Sequence, residues 1–292
     1  MRIIVTGKQG QVVSSLIERG AGKADIIALG RPEFDLAEEN VAAAFDTLRP
    51  DVIVNAAAYT MVDKAETDSE TAMRVNAIGA GAVASAATRL GVPLIHLSTD
   101  YVFDGAQNRP YREDDPTGPT GVYGRTKLEG ERRVAANCGN HAILRTAWVY
   151  SPFGSNFVRT MLRLGETRSE LGVVADQQGN PTSALDIADG VLEIAQRLTR
   201  DPSPALRGVF HMSGAGEATW ADFATEVFAL AQARGRAPVV VKRIGTTDYP
   251  TPAKRPANSR LDNTRLIKTF GFSLPDWRSS LTLCVDRLLV HS

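Results

Sequence analysis

Ile3-Ile4-Val5-Thr6-Gly7-Lys8-Gln9-Gly10-Gln11-Val12 is a short apolar run, a glycine turn and the start of a helix pattern that continues to about Arg19. A strand this short and uniformly apolar is buried on both faces, the habit of strands in a parallel sheet covered by helices. The unit then recurs. Asp25-Ile-Ile-Ala-Leu29 ends on Gly30-Arg31-Pro32, and Asp51-Val-Ile-Val54 ends on Asn55-Ala56-Ala57-Ala58. Pro93-Leu-Ile-His-Leu97 ends on Ser98-Thr99-Asp100, and Ala142-Ile-Leu-Arg145 leads to Trp148. Helix patterns separate them at about Asn40–Leu48, over an Ala-rich Ser69–Leu90, and from Tyr123 to about Ala136. Strands alternating with helices predict an α/β fold with a doubly wound parallel sheet. Ligands of such sheets bind outside the carboxyl ends of the strands, where Gly7, Arg31, Asn55, Thr99 and Trp148 fall.

The second half is less regular. Gly172–Ala175 and Gly208–His211 read as strands, and Asn156–Leu164, Ala184–Leu198, Thr219–Arg234 and Pro275–Leu289 as helices. Gly245–Asp262 is a long Pro- and Thr-rich stretch without a period, and loops of that length in compact proteins are commonly functional.

Composition narrows the class. At 292 residues, with 43% hydrophobic and 23% charged residues, the chain supports one large domain or two modest ones. Lys plus Arg equals Asp plus Glu at 33 each, which speaks against a nucleic-acid or membrane-surface partner. Cys138 and Cys284 lie far apart, without metal-type spacing, as expected of free thiols in a cytoplasmic protein. No signal-peptide layout and no apolar stretch of bilayer length is present.

The turn at Gly7-x-x-Gly10, with Gln11 and Val12 opening the helix, suits a pyrophosphate. Glycine lets the backbone approach, and a helix N-terminus offers unpaired N–H groups. The third glycine usual in such turns is replaced by Val13. Arg31, after the second strand, is placed to pair with a ribose 2′-phosphate, which favours NADP; its alternative is a solvated loop arginine. Asp35 and Leu36 would flank an adenine ring. Ala56, Ala57 and Ala58 leave room for a cofactor, or simply pack tightly. Asn76 is assigned a supporting role in its helix.

Tyr123 and Lys127 stand four residues apart, on one face of a helix and about 5–6 Å apart at Cβ. A nearby ammonium favours the phenolate and lowers the phenol's pKa. Such a phenol exchanges a proton with a carbonyl or alcohol oxygen. Thr99, at the neighbouring strand end, is placed to hydrogen-bond the same oxygen, or to cap a turn. His96 reads as a core residue.

The ordered set Gly7-x-x-Gly10, Asn55-Ala-Ala-Ala58, Ser98-Thr99-Asp100 and Tyr123-x-x-x-Lys127 resembles an extended short-chain dehydrogenase/reductase. More narrowly it resembles the dTDP-4-dehydrorhamnose reductase family. The strings that carry this include Ser-Thr-Asp-Tyr-Val-Phe-Asp-Gly (98–105), Tyr-Gly-Arg-Thr-Lys-Leu-Glu-Gly-Glu (123–131), Arg-Thr-Ala-Trp-Val-Tyr (145–150), Asp-Gln-Gln-Gly-Asn-Pro-Thr (176–182) and Arg-Pro-Ala-Asn-Ser-Arg-Leu-Asp (255–262).

The resemblance implies a Rossmann-type NADP(H)-binding domain, residues 1–150 plus about 184–213. It also implies a smaller α/β C-terminal substrate domain, residues 151–183 and 214–292. It implies hydride transfer from NADPH, with NADH as the alternative donor, to the C4 ketone of a dTDP-linked 4-keto-6-deoxy sugar. Tyr123 would protonate the oxygen, and Lys127 would lower its pKa and hold the nicotinamide ribose. Thr99 would bond the carbonyl. Val62, Asp100, Tyr101 and Trp148 would shape the sugar pocket. Asn156 and Arg260 would contact the sugar nucleotide, and Lys254 and Arg255 are further basic candidates for the diphosphate. Some family members hold Mg²⁺ at a dimer interface through Glu side chains. Ser14-Ser15 stands where such a Glu is expected, so no metal is predicted, and the chain would be a monomer or a homodimer. Two alternatives remain. One is another nucleotide-sugar 4-ketoreductase, an epimerase or a 4,6-dehydratase, although Tyr101 fills the place of a dehydratase's extra acid. The other is a non-catalytic subunit of the type that regulates methionine adenosyltransferase, in which loss of Tyr123 or Lys127 would be expected.

Overall fold

The structure, a computed structural model, describes residues 1–38 and 44–290. The first half runs β1 (Arg2–Thr6), α1 (Gln11–Gly20), β2 (Asp25–Leu29), β3 (Val52–Asn55), α2 (Val62–Ala65) and α3 (Ser69–Met73). A π-helical turn (Arg74–Gly79) leads into α4 (Ala80–Leu90), then β4 (Leu94–Thr99), a 3₁₀ turn (Asp100–Val102), α5 (Val122–Asn137) and β5 (His141–Thr146). The second half runs β6 (Val149–Tyr150), α6 (Phe157–Gly165), β7 (Glu170–Val174), β8 (Gln178–Gly179), β9 (Thr182–Ser183) and α7 (Ala184–Arg200). It continues with β10 (Gly208–His211), β11 (Ala218–Thr219), α8 (Trp220–Gln232), β12 (Val240–Ile244), α9 (Thr264–Phe270) and α10 (Trp277–Val290).

Six strands form one parallel sheet in the order β2-β1-β3-β4-β5-β10. Alternation along β1 explains its uniform apolarity. Ile3 and Val5 point into one core with Leu16 of α1 and Ile187 and Val191 of α7. Ile4, between them, enters a second core with Ile53, Val83 and Val134. Each such buried aliphatic side chain contributes about 1.5–3 kcal/mol. The order reverses between β1 and β3, so a crevice opens there at the carboxyl ends. Thr6 pairs with both Leu29 and Asn55, and Thr99 with Thr146, which lines the strand ends along one edge.

A third core gathers Tyr150, Val158, Phe223, Val227, Trp277 and Leu281 beside that edge. Three small two-stranded sheets accompany it: β8 with β11, β7 with β12, and β6 with β9. The stretch 245–262 is a strap held by backbone bonds, among them Ser259 N–H to Gln178 O (2.7 Å) and Tyr111 N–H to Arg260 O (2.8 Å).

The structure departs from the sequence expectations in three places. The helix expected over Ser69–Leu90 contains the π turn that carries Asn76. Residues 40–43 of the helix expected at Asn40–Leu48 lie outside the described residues, and 44–48 form turns around the fully buried Phe45. Leu266, Phe270 and Leu274 belong to the core of the central sheet, although they fall in the range expected for the substrate domain. Among the described residues, no helix is long and apolar enough to cross a membrane.

Candidate active site

The glycine turn and the alanine run face each other across the crevice. Gly7 adopts φ +102°, and a Cβ placed on it would lie 3.1 Å from Val13 and 3.7 Å from Ala57. Val13, where a third glycine was expected, is buried and fills the space beneath the turn. Thr6 Oγ1 accepts from the N–H groups of Ala56 (3.1 Å) and Ala57 (3.0 Å), so the chain turns away sharply after β3. Ala56, Ala57 and Ala58 are half-buried. Gly10 precedes α1 without a side-chain cap, and the first turn of α1 carries no acid. Its leading N–H groups are therefore open to an anion.

Around this turn the side chains divide. Gln11 ties the turn to the chain after β6, accepting from Ser151 Oγ at 2.9 Å and donating to Val149 O at 3.4 Å. Val12 packs against the central core. Arg31 is exposed at the end of β2. Asp35 Oδ1 closes its own turn by accepting from Ala37 N–H (3.0 Å), and the Leu36 side chain is buried in the second core. The Leu36 side chain is thus turned into the core, while Asp35, half-buried, has only Oδ1 engaged among the described residues.

Tyr123 lies in the first turn of α5, whose first N–H, that of Val122, donates to Glu66 Oε1 (2.8 Å). A Cβ on Gly124 would sit 2.1 Å from Tyr101 O, so only glycine lets α5 close onto the 3₁₀ turn. Asn76 holds the other side. It accepts from Tyr59 N–H (2.8 Å) and donates to Thr126 Oγ1 (3.0 Å), which in turn donates to Tyr123 O (2.9 Å). The supporting role assigned to Asn76 thus has a concrete form.

The phenol of Tyr123 lies beside Thr99, which acts to lower its pKa, and meets Tyr101 edge-on, with ring centroids 5.5 Å apart. Thr99 Oγ1 donates to Asp100 Oδ1 (3.0 Å) and accepts from Tyr101 N–H (3.2 Å), so the threonine caps the 3₁₀ turn. Burial, then the Asp100 carboxylate, pushes the Tyr123 phenol up to about 12. Burial raises Asp100 to about 6, and its Oδ2 has no hydrogen-bond partner. Ser259 of the strap lies against the same carboxyl and opposes that rise.

Lys127 is 3% exposed, and its Nζ donates to Leu97 O at 2.6 Å. Burial lowers it to about 8, against the pull of Glu131 one turn further along α5. The phenol, expected to be lowered by Lys127, is instead raised, by burial first and then by the Asp100 charge. Tyr123 consequently stays a protonated phenol, the state that donates to a carbonyl oxygen. Behind Lys127, Glu131 is gripped by Arg145 at 2.9 and 2.7 Å and by Ser98 Oγ at 2.5 Å, all buried. Sequence reasoning gave these residues no role, although Glu131 continues the Tyr123, Lys127 spacing.

Two expected substrate contacts are engaged elsewhere. Asn156 caps α6, accepting from Arg159 N–H (3.2 Å) and donating to Ser151 O and Phe153 O. Arg260 uses all three guanidinium nitrogens, on Asn258 Oδ1, Glu217 Oε2 and Asn108 O, to hold the strap. Arg255 is the better-placed cation. It bonds Asp63 at 2.7 Å beside half-buried Val62, its field reaches Tyr101, and its Nη1 is buried without a partner. Trp148 is half-buried two residues beyond Thr146, the β5 partner of Thr99.

The model of the family described as RmlD substrate binding domain matches residues 1–290. The dTDP-4-dehydrorhamnose reductase of Sinorhizobium fredii (strain NBRC 101917 / NGR234) is 53% identical over 292 residues, 100% of this chain and 99% of that protein. Among solved structures, a dTDP-4-dehydrorhamnose reductase from Clostridium acetobutylicum ATCC 824 is 38% identical, covers 100% of both chains and superposes with a TM-score of 0.92. Another from Bacillus anthracis str. Ames, in complex with NADP, is 33% identical over 100% of this chain and 99% of that one, with a TM-score of 0.90. The site was assembled from residues spread between Gly7 and Arg260, and the family match runs through all of them: the chain belongs to the RmlD substrate binding domain family.

Proposed function

We propose that the chain is a dTDP-4-dehydrorhamnose reductase, reducing the C4 ketone of dTDP-6-deoxy-L-lyxo-4-hexulose to give dTDP-L-rhamnose. The observation that carries the reading is the grouping of Tyr123, Thr99 at the end of β4, and buried Lys127 bonded to Leu97 O of the same strand. A protonated phenol and a hydroxyl converge there on the place a carbonyl oxygen needs.

The crevice fits a dinucleotide: the open N-terminus of α1 suits a pyrophosphate, and the small residues 56–58 admit a flat group. NADPH, when bound, supplies the hydride. Gly7, Gly10 and the leading N–H groups at Gln11 and Val12 would hold the pyrophosphate, and exposed Arg31 the 2′-phosphate. Lys127 would hold the nicotinamide ribose, and its charge would steady the phenolate as Tyr123 gives up its proton. Thr99 would orient the ketone. Asp100, Tyr101, Val62 and Trp148 would line the hexose, and Arg255 would take the diphosphate. The cofactor lobe is proposed as residues 1–150 plus 184–213, joined by the core side chains of α9. The substrate lobe is proposed as 151–183 with the remainder of 214–292.

Incubation with NADPH and the ketosugar tests this directly. Loss of nicotinamide absorbance in wild type, reduced by orders of magnitude in Tyr123→Phe, supports the assignment. No oxidation by wild type, or equal oxidation by the variant, sinks it.

A further inference from the structure

Trp148 sits where a tryptophan backbone rarely goes. Its φ is +48°, in the left-handed region, and its carbonyl accepts from Thr182 N–H at 3.2 Å. The indole lies flat on Trp220, ring centroids 3.6 Å apart and planes 9° from parallel. Trp220 is the first residue of α8, fixed by a capping box between Thr219 and Asp222 and backed by Phe157 at 4.7 Å. The edge of the Trp148 indole faces Gly179, where a Cβ would lie 2.4 Å from Cε2. Gly179 pairs with Ala218, and Ala218-Thr219 runs straight into Trp220. One small sheet therefore supplies both the gap for the edge of Trp148 and the cover for its face. Trp148 also packs against the cluster of Val102, Phe103, Leu128 and Leu261, which begins two residues after Asp100 and one after Lys127.

We propose that Trp220 is a positioning residue for the sugar: by stacking on Trp148 it fixes the one indole face that receives the apolar C–H face of the hexose. The proposal rests on the reading of Trp148 as a sugar contact. An indole already ordered loses no rotamer freedom when the hexose arrives, whereas a loosened one must be ordered by the ligand, a several-fold effect.

The test compares dTDP-L-rhamnose with dTDP alone, by calorimetry, in wild type, Trp220→Leu, Trp220→Phe and Gly179→Ala. Trp220→Leu is expected to weaken dTDP-L-rhamnose by about three- to tenfold and leave dTDP unchanged. Trp220→Phe, which keeps an aromatic face, should fall between. Gly179→Ala should reproduce the selective loss without touching Trp220, because its methyl displaces Trp148. The two stacked indoles should also give an exciton couplet in circular dichroism. That couplet should be absent from Trp220→Phe and perturbed in wild type by dTDP-L-rhamnose but not by dTDP. Equal weakening of both ligands, or undiminished dTDP-L-rhamnose binding in a Trp220→Leu protein that lacks the couplet, overturns the positioning role. Failure of wild type to bind either nucleotide would instead defeat the reading on which the proposal rests, and the proposal with it.

Discussion

Replacing Lys127 by Met should make the protein inactive and, near neutral pH, more stable. The ammonium is 3% exposed, and burial moves it from 10.5 to about 8. At about 1.4 kcal/mol per pH unit, holding it charged in the folded state costs about 3 kcal/mol at neutral pH. Met keeps the length and apolar stem of the side chain but loses the bond to Leu97 O, which returns about 1 kcal/mol. The variant should therefore gain about 2 kcal/mol at neutral pH. The pH dependence is the sharper test. Below about 8 both folded and unfolded wild type carry the charge, and the full cost is present. Between about 8 and 10.5 the folded protein releases the proton while the unfolded chain keeps it, so wild-type stability rises with pH relative to the variant. Above 10.5 both states are neutral and the cost is gone. Urea unfolding at about pH 7 and about pH 9.5 should show wild type recovering about 2 kcal/mol on Lys127→Met, with equal m-values. A stability difference that stays constant across that range would refute the claim that a charged lysine is held at a cost beside the phenol.

The other predictions concern its neighbours. Glu131→Ala strands the Arg145 guanidinium at a site where both partners are 5% exposed, and should cost about 3–5 kcal/mol by urea unfolding; adding Arg145→Met should recover part of the loss. The Asp100 carboxyl, raised to about 6, is ionised only above that pH, so kcat/KM for the ketosugar should rise through about pH 6 in wild type and lose that limb in Asp100→Asn. Gly124→Ala drives a methyl into Tyr101 O and should cost about 1–3 kcal/mol; it should also lower kcat by tilting Tyr123, read from unfolding and turnover together.

The fold was legible where burial is two-sided. β1, β3, β4 and β5 are runs whose residues enter one core or the other, so their apolarity needs no tertiary information. The two-residue strands β6, β8, β9 and β11 are too short to show a period, and α9 was lost in the irregular stretch that precedes it. The π turn is invisible for another reason: its register is set by Asn76 bridging Tyr59 and Thr126, residues far away in sequence. The site divides in the same way. Tyr123, Lys127 and Thr99 were legible because helix spacing and strand ends are local signals. Asn156 and Arg260 are harder to read, because their type suits a ligand and a structural partner equally well. What decides is the partners they find, backbone carbonyls for one and Glu217, Asn258 and Asn108 for the other. The sign of the Tyr123 shift depends on burial and on Asp100, neither of which spacing reveals.

The most direct test follows the transferred hydrogen. With NADPH carrying deuterium at both C4 positions of the nicotinamide and the dTDP-linked ketosugar as acceptor, the account predicts deuterium at C4 of the hexose, one for each cofactor oxidised, with the signal abolished in Tyr123→Phe. A sugar altered without deuterium at C4 and without net cofactor consumption, as an epimerase or dehydratase would leave it, would contradict it.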